Sequence, residues 1–408
     1  MSEATGRTGG IPRGLATTGP AVLSYGFRPF FLGAGLFAPL AMLAWIGAMS
    51  LGWPIGGTTY GALAWHAHEM VFGYTVAALA GFLLTAIPNW TGRLPVSGRP
   101  LLVLVLTWLA GRLAMLQPDL LGLYPAAAID GVFLPLLAAI AGREIVAGRN
   151  WKNLKILVAL VLLTAVNLAF HASVLTGGDP AIAFRAGVAV FVALVGVIGG
   201  RIIPSFTRNW LTKASAKRLP APFGRFDGVA MVALVAALIT WTVLPGELPA
   251  AIVAGLAALL QAMRLWRWRG IMVLEEPLLL VLHVGFLFIP LGLVGVALEG
   301  IGLLGGPSVL HIFTVGVIGT MTLGLMTRAT RAHTGNKLTA SAVTSISYLA
   351  LVFAAVLRPF AELLPAHYHT LLGAAGSCWI LAFVLFVGEC GPMLVRKRHA
   401  AAGTGRAP

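Results

Sequence analysis

The stretch EPLLLVLHVGFLFIPLGLVGVALE, residues 276–299, decides how the rest of the chain is read. Between Glu276 and Glu299 its only ionisable side chain is His283. As a helix it would run roughly 36 Å at about 1.5 Å per residue, enough to cross a hydrocarbon core of about 30 Å. Further apolar segments of spanning length lie at approximately 29–51, 66–88, 99–117, 121–142, 154–175, 181–203, 227–244, 248–265, 306–328, 339–357 and 368–394. Their links are short and carry the Gly, Pro and Asn of turns. The fold class is all-α: a polytopic transmembrane helix bundle of about twelve helices. Residues 25–396 form this domain, and residues 1–24 and 397–408 read as cytoplasmic tails, the first of them disordered.

Composition agrees. Hydrophobic residues make up 58% of the chain and charged residues only 10%, against about 25% charged in a soluble domain. Lipid must be the solvent for much of the surface. The net charge of +15 would point a soluble protein toward nucleic acid, but no nucleic-acid-binding motif is present. Membrane topology explains it better. With the N-terminus in the cytoplasm and the spans alternating, every Lys and Arg falls on the cytoplasmic side except Arg112, Arg185 and Arg358. Both termini are therefore expected inside a bacterial cytoplasmic membrane. Trp53, Tyr60 and Trp65 outside, and Trp90, Trp210, Trp266 and Trp268 inside, read as interfacial aromatics. No cleavable signal peptide is visible at the N-terminus. Cys378 and Cys390 share the last span, roughly 18 Å apart along a helix, too far for a disulfide.

Ionisable groups inside a bilayer are costly, so each one needs a reason. His66 and His68 stand at the outer start of the second span, in Trp65-His66-Ala67-His68-Glu69-Met70. His171, one turn after Asn167, is near the outer end of the fifth, and His311 near the outer start of the tenth. Four histidines from three spans thus share one depth. Neutral imidazole is the commonest metal ligand and also an axial ligand of haem iron, so the layer predicts metal or haem ligation in the outer half of the bundle. His66 and His68 are two apart and point to nearly opposite sides of a regular helix. They serve two centres, or one supports the other's ligand, or the helix start is irregular. His283 lies deeper and toward the other side, as ligand or packing residue. His333 falls in the cytoplasmic loop after the tenth span, and His367, His369 and His399 read as solvated.

Glu69 can orient a ligand histidine or carry a proton. Asp130, near the middle of the fourth span, and Arg112, in the third, are expected to pair, which reduces the cost of burying either. Arg112 could instead bind a haem propionate. Glu389 is expected to reach the inner interface. A phosphate-binding Gly-rich loop, Cys-x-x-Cys-His and His-Glu-x-x-His are all absent.

Phe27-Arg28-Pro29-Phe30-Phe31-Leu32, Trp65-His66-Ala67-His68-Glu69-Met70-Val71-Phe72-Gly73 and Gly81-Phe82-Leu83-Leu84-Thr85-Ala86-Ile87-Pro88-Asn89-Trp90-Thr91-Gly92 resemble the NnrS family. So do Gly199-Gly200-Arg201-Ile202-Ile203-Pro204-Ser205-Phe206-Thr207, and Leu310-His311 leading to Met326-Thr327-Arg328 and His333-Thr334-Gly335. One local departure is Ala332 before His333 and Asn336 after Gly335, where the family has Gly and a basic residue; it weakens a site role for His333. The resemblance implies a polytopic membrane protein containing haem and copper, linked to the nitric oxide response, without fixing a reaction.

The expectation is a haem/copper centre with ligands from His66 or His68, His171 and His311, and further candidates in His283, His333 and Arg112. Glu69 would be the catalytic or orienting carboxylate. The ligand would be nitric oxide or a nitrosyl-iron species, and the residues identify no electron donor. The outer histidine layer is similar to that of the haem–copper oxidase catalytic subunit, an analogy of fold only. Two other readings stand beside it: a secondary transporter with proton-coupled histidines, and a haem-holding sensor or assembly protein that does not turn over.

Overall fold

A computed structural model describes residues 19–397. Arg7, Arg13, Arg398, His399 and Arg406, with most of both expected tails, lie outside the described residues. Ala21–Leu23 forms a short 3-10 turn ahead of the first span.

Among the described residues, twelve helices are long and apolar enough to cross a membrane. They are α1 (Phe27–Leu51), α2 (Gly57–Thr91), α3 (Arg99–Leu116), α4 (Leu123–Ala147), α5 (Trp151–Leu175) and α6 (Ala181–Lys213). The second half comprises α7 (Arg225–Val243), α8 (Leu248–Trp266), α9 (Pro277–Glu299), α10 (Gly306–Thr334), α11 (Ala342–Leu363) and α12 (Pro365–Val395). No strand occurs among the described residues. The chain is thus a multi-pass, all-helical membrane protein.

Four helices run well past the apolar segments that announce them. α2 begins at Gly57, while α6, α10 and α11 continue to Lys213, Thr334 and Leu363. In the last three a hydropathy window stops where charges begin, but helical hydrogen bonding continues. His66 and His68 therefore sit inside α2 and not at its start. His333 is on the last turn of α10 and not in a loop, with its ring against Tyr25 and Phe27.

The centre of the bundle is set by burial. The apolar windows of α2, α9 and α10 are 83%, 72% and 67% buried, whereas the other spans are between 33% and 44% buried. Both α2 and α10 leave regular α-geometry in the middle. A π-helical stretch occupies Glu69–Thr75 in α2 and Ile312–Gly319 in α10. Each begins one residue after a histidine, His68 and His311. Such widened turns are frequent at functional sites because they re-aim the side chains around them. A second break in α2 falls at Gly61, with φ 67° and ψ 167°, a backbone state that L side chains rarely adopt.

Several interfacial expectations are corrected by this packing. Tyr60, Trp65 and Trp268 are buried, at 5%, 2% and 2% exposure. Tyr60 and Trp65 are inside α2, which begins earlier than its hydropathy shows, and Trp268, in the turn after α8, folds back onto Phe286 of α9. Glu389, expected at the interface, accepts hydrogen bonds from Arg331, Ser341 and Thr344. Cys378 and Cys390 are both free.

Candidate metal and cofactor site

Arg112 of α3 is the charge around which the first cluster forms. Its Nη1 donates to Glu69 Oε1 at 2.5 Å, and its Nη2 donates to Asp130 Oδ1. The expected Arg112–Asp130 pair exists, with Glu69 as a second carboxylate. Two glycines make room for it. A Cβ on Gly73 would strike Arg112, and one on Gly111 would lie 3.0 Å from Asp130 Oδ1.

Asp130 Oδ2 then collects α5 and α2. His171 Nε2–H donates to it at 2.9 Å, and Asn167 Nδ2–H at 2.9 Å. His68 Nε2 lies 3.2 Å from the same oxygen and 2.9 Å from Asn167 Oδ1. The other ring nitrogen of His68 faces Glu69 Oε1 at 2.9 Å. Tyr60 O–H closes the network by donating to His171 Nδ1 at 2.8 Å. All of these side chains are buried. Charged groups in a low-dielectric interior need such mutual pairing.

Ligand atoms of His68, Asp130 and His171 lie within 4.8 Å of one another. Tetrahedral coordination at about 2.1 Å per bond needs ligand atoms roughly 3.4 Å apart. The Nε2 atoms stand 3.2 Å and 2.9 Å from Asp130 Oδ2, so a small opening of the cluster admits an ion. Charge favours this. Glu69 and Asp130 face one guanidinium, leaving one negative charge to be balanced by a second proton on His68 or by a cation. Two imidazoles and a carboxylate suit copper or zinc. Asp130 was read from the sequence only as a partner for Arg112, and its convergence with two histidines is new.

The second site lies on the opposite side of α2. His66 and His311 both line a largely apolar cavity of about 750 Å³. The His66 ring is stacked on Trp45, with centroids 4.4 Å apart and planes 14° apart. Its Nδ1 is buried without a hydrogen-bond partner. His311 Nδ1–H donates to Pro307 O at 2.6 Å, which leaves Nε2 as the basic nitrogen. Arg358 also lines the cavity and pairs with Glu362 at 3.2 Å, one helical turn on. Tyr60 lines the cavity too, while its hydroxyl bonds His171, so one side chain touches both sites.

The remaining expected site residues fall elsewhere. His283 Nε2 pairs with Thr207 of α6 at 2.9 Å, away from both centres. His333 packs against the aromatic side chains that begin the bundle. Arg112 is committed to its two carboxylates and does not line the cavity, whereas Arg358 does. The signal for Arg358 was present: it is one of only three basic residues that break the charge asymmetry of the loops. Nothing in the sequence paired Trp45 with His66, or Tyr60 with His171, because both contacts join separate spans.

Fold and site together define a polytopic helical membrane protein with a buried histidine–carboxylate cluster, able to hold a metal ion, beside an apolar cavity lined by two further histidines. The chain belongs to the NnrS family, whose model, described as NnrS protein, matches residues 21–398. No curated protein matches it.

Proposed function

We propose that this chain is a haem- and copper-binding protein of the bacterial inner membrane that binds nitric oxide and serves the response to nitrosative stress. One observation carries the reading: imidazoles from two different spans, His66 and His311, line one apolar cavity of about 750 Å³ that also holds an arginine. That volume is within the usual range of roughly 300–1,000 Å³ for cofactor and ligand sites. Haem is a flat apolar disc with two carboxylate arms, and the cavity would offer it imidazole nitrogens, apolar walls and a guanidinium.

His66 and His311 would hold the haem, with Pro307 fixing the tautomer of His311 and Trp45 fixing the plane of His66. Arg358 would receive a propionate. His68, Asp130 and His171 would hold copper. Bound there, these groups supply one-electron chemistry and an iron site with affinity for nitric oxide. Glu69 orients His68 through Nδ1, and Arg112 pairs with both carboxylates. Tyr60 and His171 form a hydrogen-bonded route by which a proton can move between the cavity and Asp130.

The test is an optical spectrum of the purified protein, oxidised and reduced, with metal analysis of the same sample. A Soret band with near-stoichiometric iron, shifted by nitric oxide, is the expected outcome, with copper present. Protein free of haem and metal after haem-replete expression would overturn the reading and favour a proton-coupled transporter.

A further inference from the structure

A second pocket of about 60 Å³ lies where α2, α6 and α10 meet, deeper in the membrane than the large cavity. Thr75 and Ile318 line both spaces, so these two side chains form the partition between them. Its other walls include Ala78, Leu79, Phe191, Leu194 and Met321. The space is large enough for water, since about 10–15 Å³ holds one molecule, but a buried water also needs two to four polar partners. None is on offer. The Thr75 hydroxyl donates to Met70 O at 2.8 Å, and the Thr322 hydroxyl donates to Ile318 O at 2.7 Å and meets Tyr74 Oη at 2.5 Å. The rest of the wall is hydrocarbon and sulfur.

We propose that this pocket is a dry binding site for a small uncharged gas molecule, with a passage between Thr75 and Ile318 into the large cavity. Apolar cavities that stay dry bind such guests because no hydrogen-bonded water has to be displaced. Val195, Ile198 and Leu325, on membrane-spanning helices, line the pocket and are only half-buried, which places it within reach of gas dissolved in lipid. A gas concentrates in hydrocarbon relative to water, so entry from the bilayer outcompetes entry from solution. The binding site stands on the pocket alone. Its use as a supply route to the histidine-lined cavity rests on the haem reading above.

Xenon is the probe. The full-length protein in lipid nanodiscs would be pressurised with xenon and followed by 129Xe NMR, with crystals treated in parallel to locate the atom. Xenon bound between Phe191 and Met321 in the wild type is expected, weakened or lost in Ala78→Phe, which fills the space, and strengthened in Leu325→Ala, which enlarges it. An ordered water in the pocket, absence of xenon from the wild type, or xenon binding unchanged in Ala78→Phe would each overturn the site. Should Ala78→Phe not fold, an unchanged affinity in Leu325→Ala overturns it as well. Carbon monoxide association with the haem-loaded protein tests the passage: Ala78→Phe should slow it several-fold while leaving the Soret band in place. An unchanged rate overturns the passage and leaves the xenon site standing. Xenon binding in a protein that never takes up haem upholds the pocket and removes the haem reading.

Discussion

His66 and His68 are separated by one residue on α2, yet they occupy opposite kinds of environment. His68 has both ring nitrogens against acceptor oxygens, within a network that joins Glu69, Arg112, Asp130, Asn167, His171 and Tyr60 and leaves only Glu69 Oε2 and Arg112 Nε without a partner. His66 faces a cavity, stacked on Trp45, with its Nδ1 unpartnered. The difference teaches how one helix can serve structure and chemistry together. The His68 side is cross-bonded, and losing Arg112 strands two buried carboxylates. The His66 side leaves a polar atom unsatisfied, at a cost of about 1–3 kcal/mol, which a bound group can recover.

The largest effect should come from breaking the network at its cation. Arg112→Ala leaves Glu69 and Asp130 as uncompensated buried carboxylates, and a loss of about 3–5 kcal/mol is expected, measured by thermal unfolding in detergent. Adding Asp130→Ala to that variant should cost less than Asp130→Ala costs in the wild type, because its partner is already gone. Full additivity would show that the cluster is not a unit.

The comparison is sharpened by substituting one histidine on each side. His311→Ala should abolish the Soret band while changing stability by only about 1 kcal/mol, the worth of its bond to Pro307. His68→Ala should do the reverse, keeping the band and losing about 2–3 kcal/mol, chiefly from the orphaned Asn167 oxygen. A retained Soret band in His311→Ala would remove that residue from the ligand set.

A smaller change is expected at the link. Tyr60→Phe deletes one hydrogen bond to His171 and should cost about 1 kcal/mol, read from the same unfolding curves, with the Soret band unmoved. The smallest effect concerns a carboxylate outside the membrane. Asp119 accepts from the backbone N–H of Thr58 at 2.7 Å and from its hydroxyl at 2.8 Å. Those bonds, the backbone one first, hold its pKa below the ordinary 3.8. A carboxyl depressed in the folded state stabilises the fold above its unfolded pKa and loses that contribution as pH falls through the folded one. The small acid-side loss of stability beginning near pH 3.8 should therefore be absent in Asp119→Asn. An unchanged acid limb would show that the Thr58 bonds carry no weight in solution.

Much of the architecture was legible in the residues. Each span is a local property, since about 20 apolar residues suffice to cross a bilayer wherever they occur. The sequence borders accordingly fell close to the helices, except where α2, α6, α10 and α11 continue past them. The candidate site was legible only as a depth. Axial position can be counted at about 1.5 Å per residue, so His66, His68, His171 and His311 could be placed in one layer. The two-residue spacing also implied that His66 and His68 diverge.

What the sequence alone determined is the set of spanning helices, the family and the level at which histidines gather, because hydropathy, motif and rise per residue all act along a single segment. Only the tertiary structure decided which histidines meet. It joined His68 and His171 through Asp130, set His66 beside His311, committed Arg112 to carboxylates and gave the cavity Arg358 instead. These pairings depend on how whole helices rotate and pack against one another, and that is fixed by close contacts such as those at Gly73 and Gly111 and by the need to neutralise every buried charge at once.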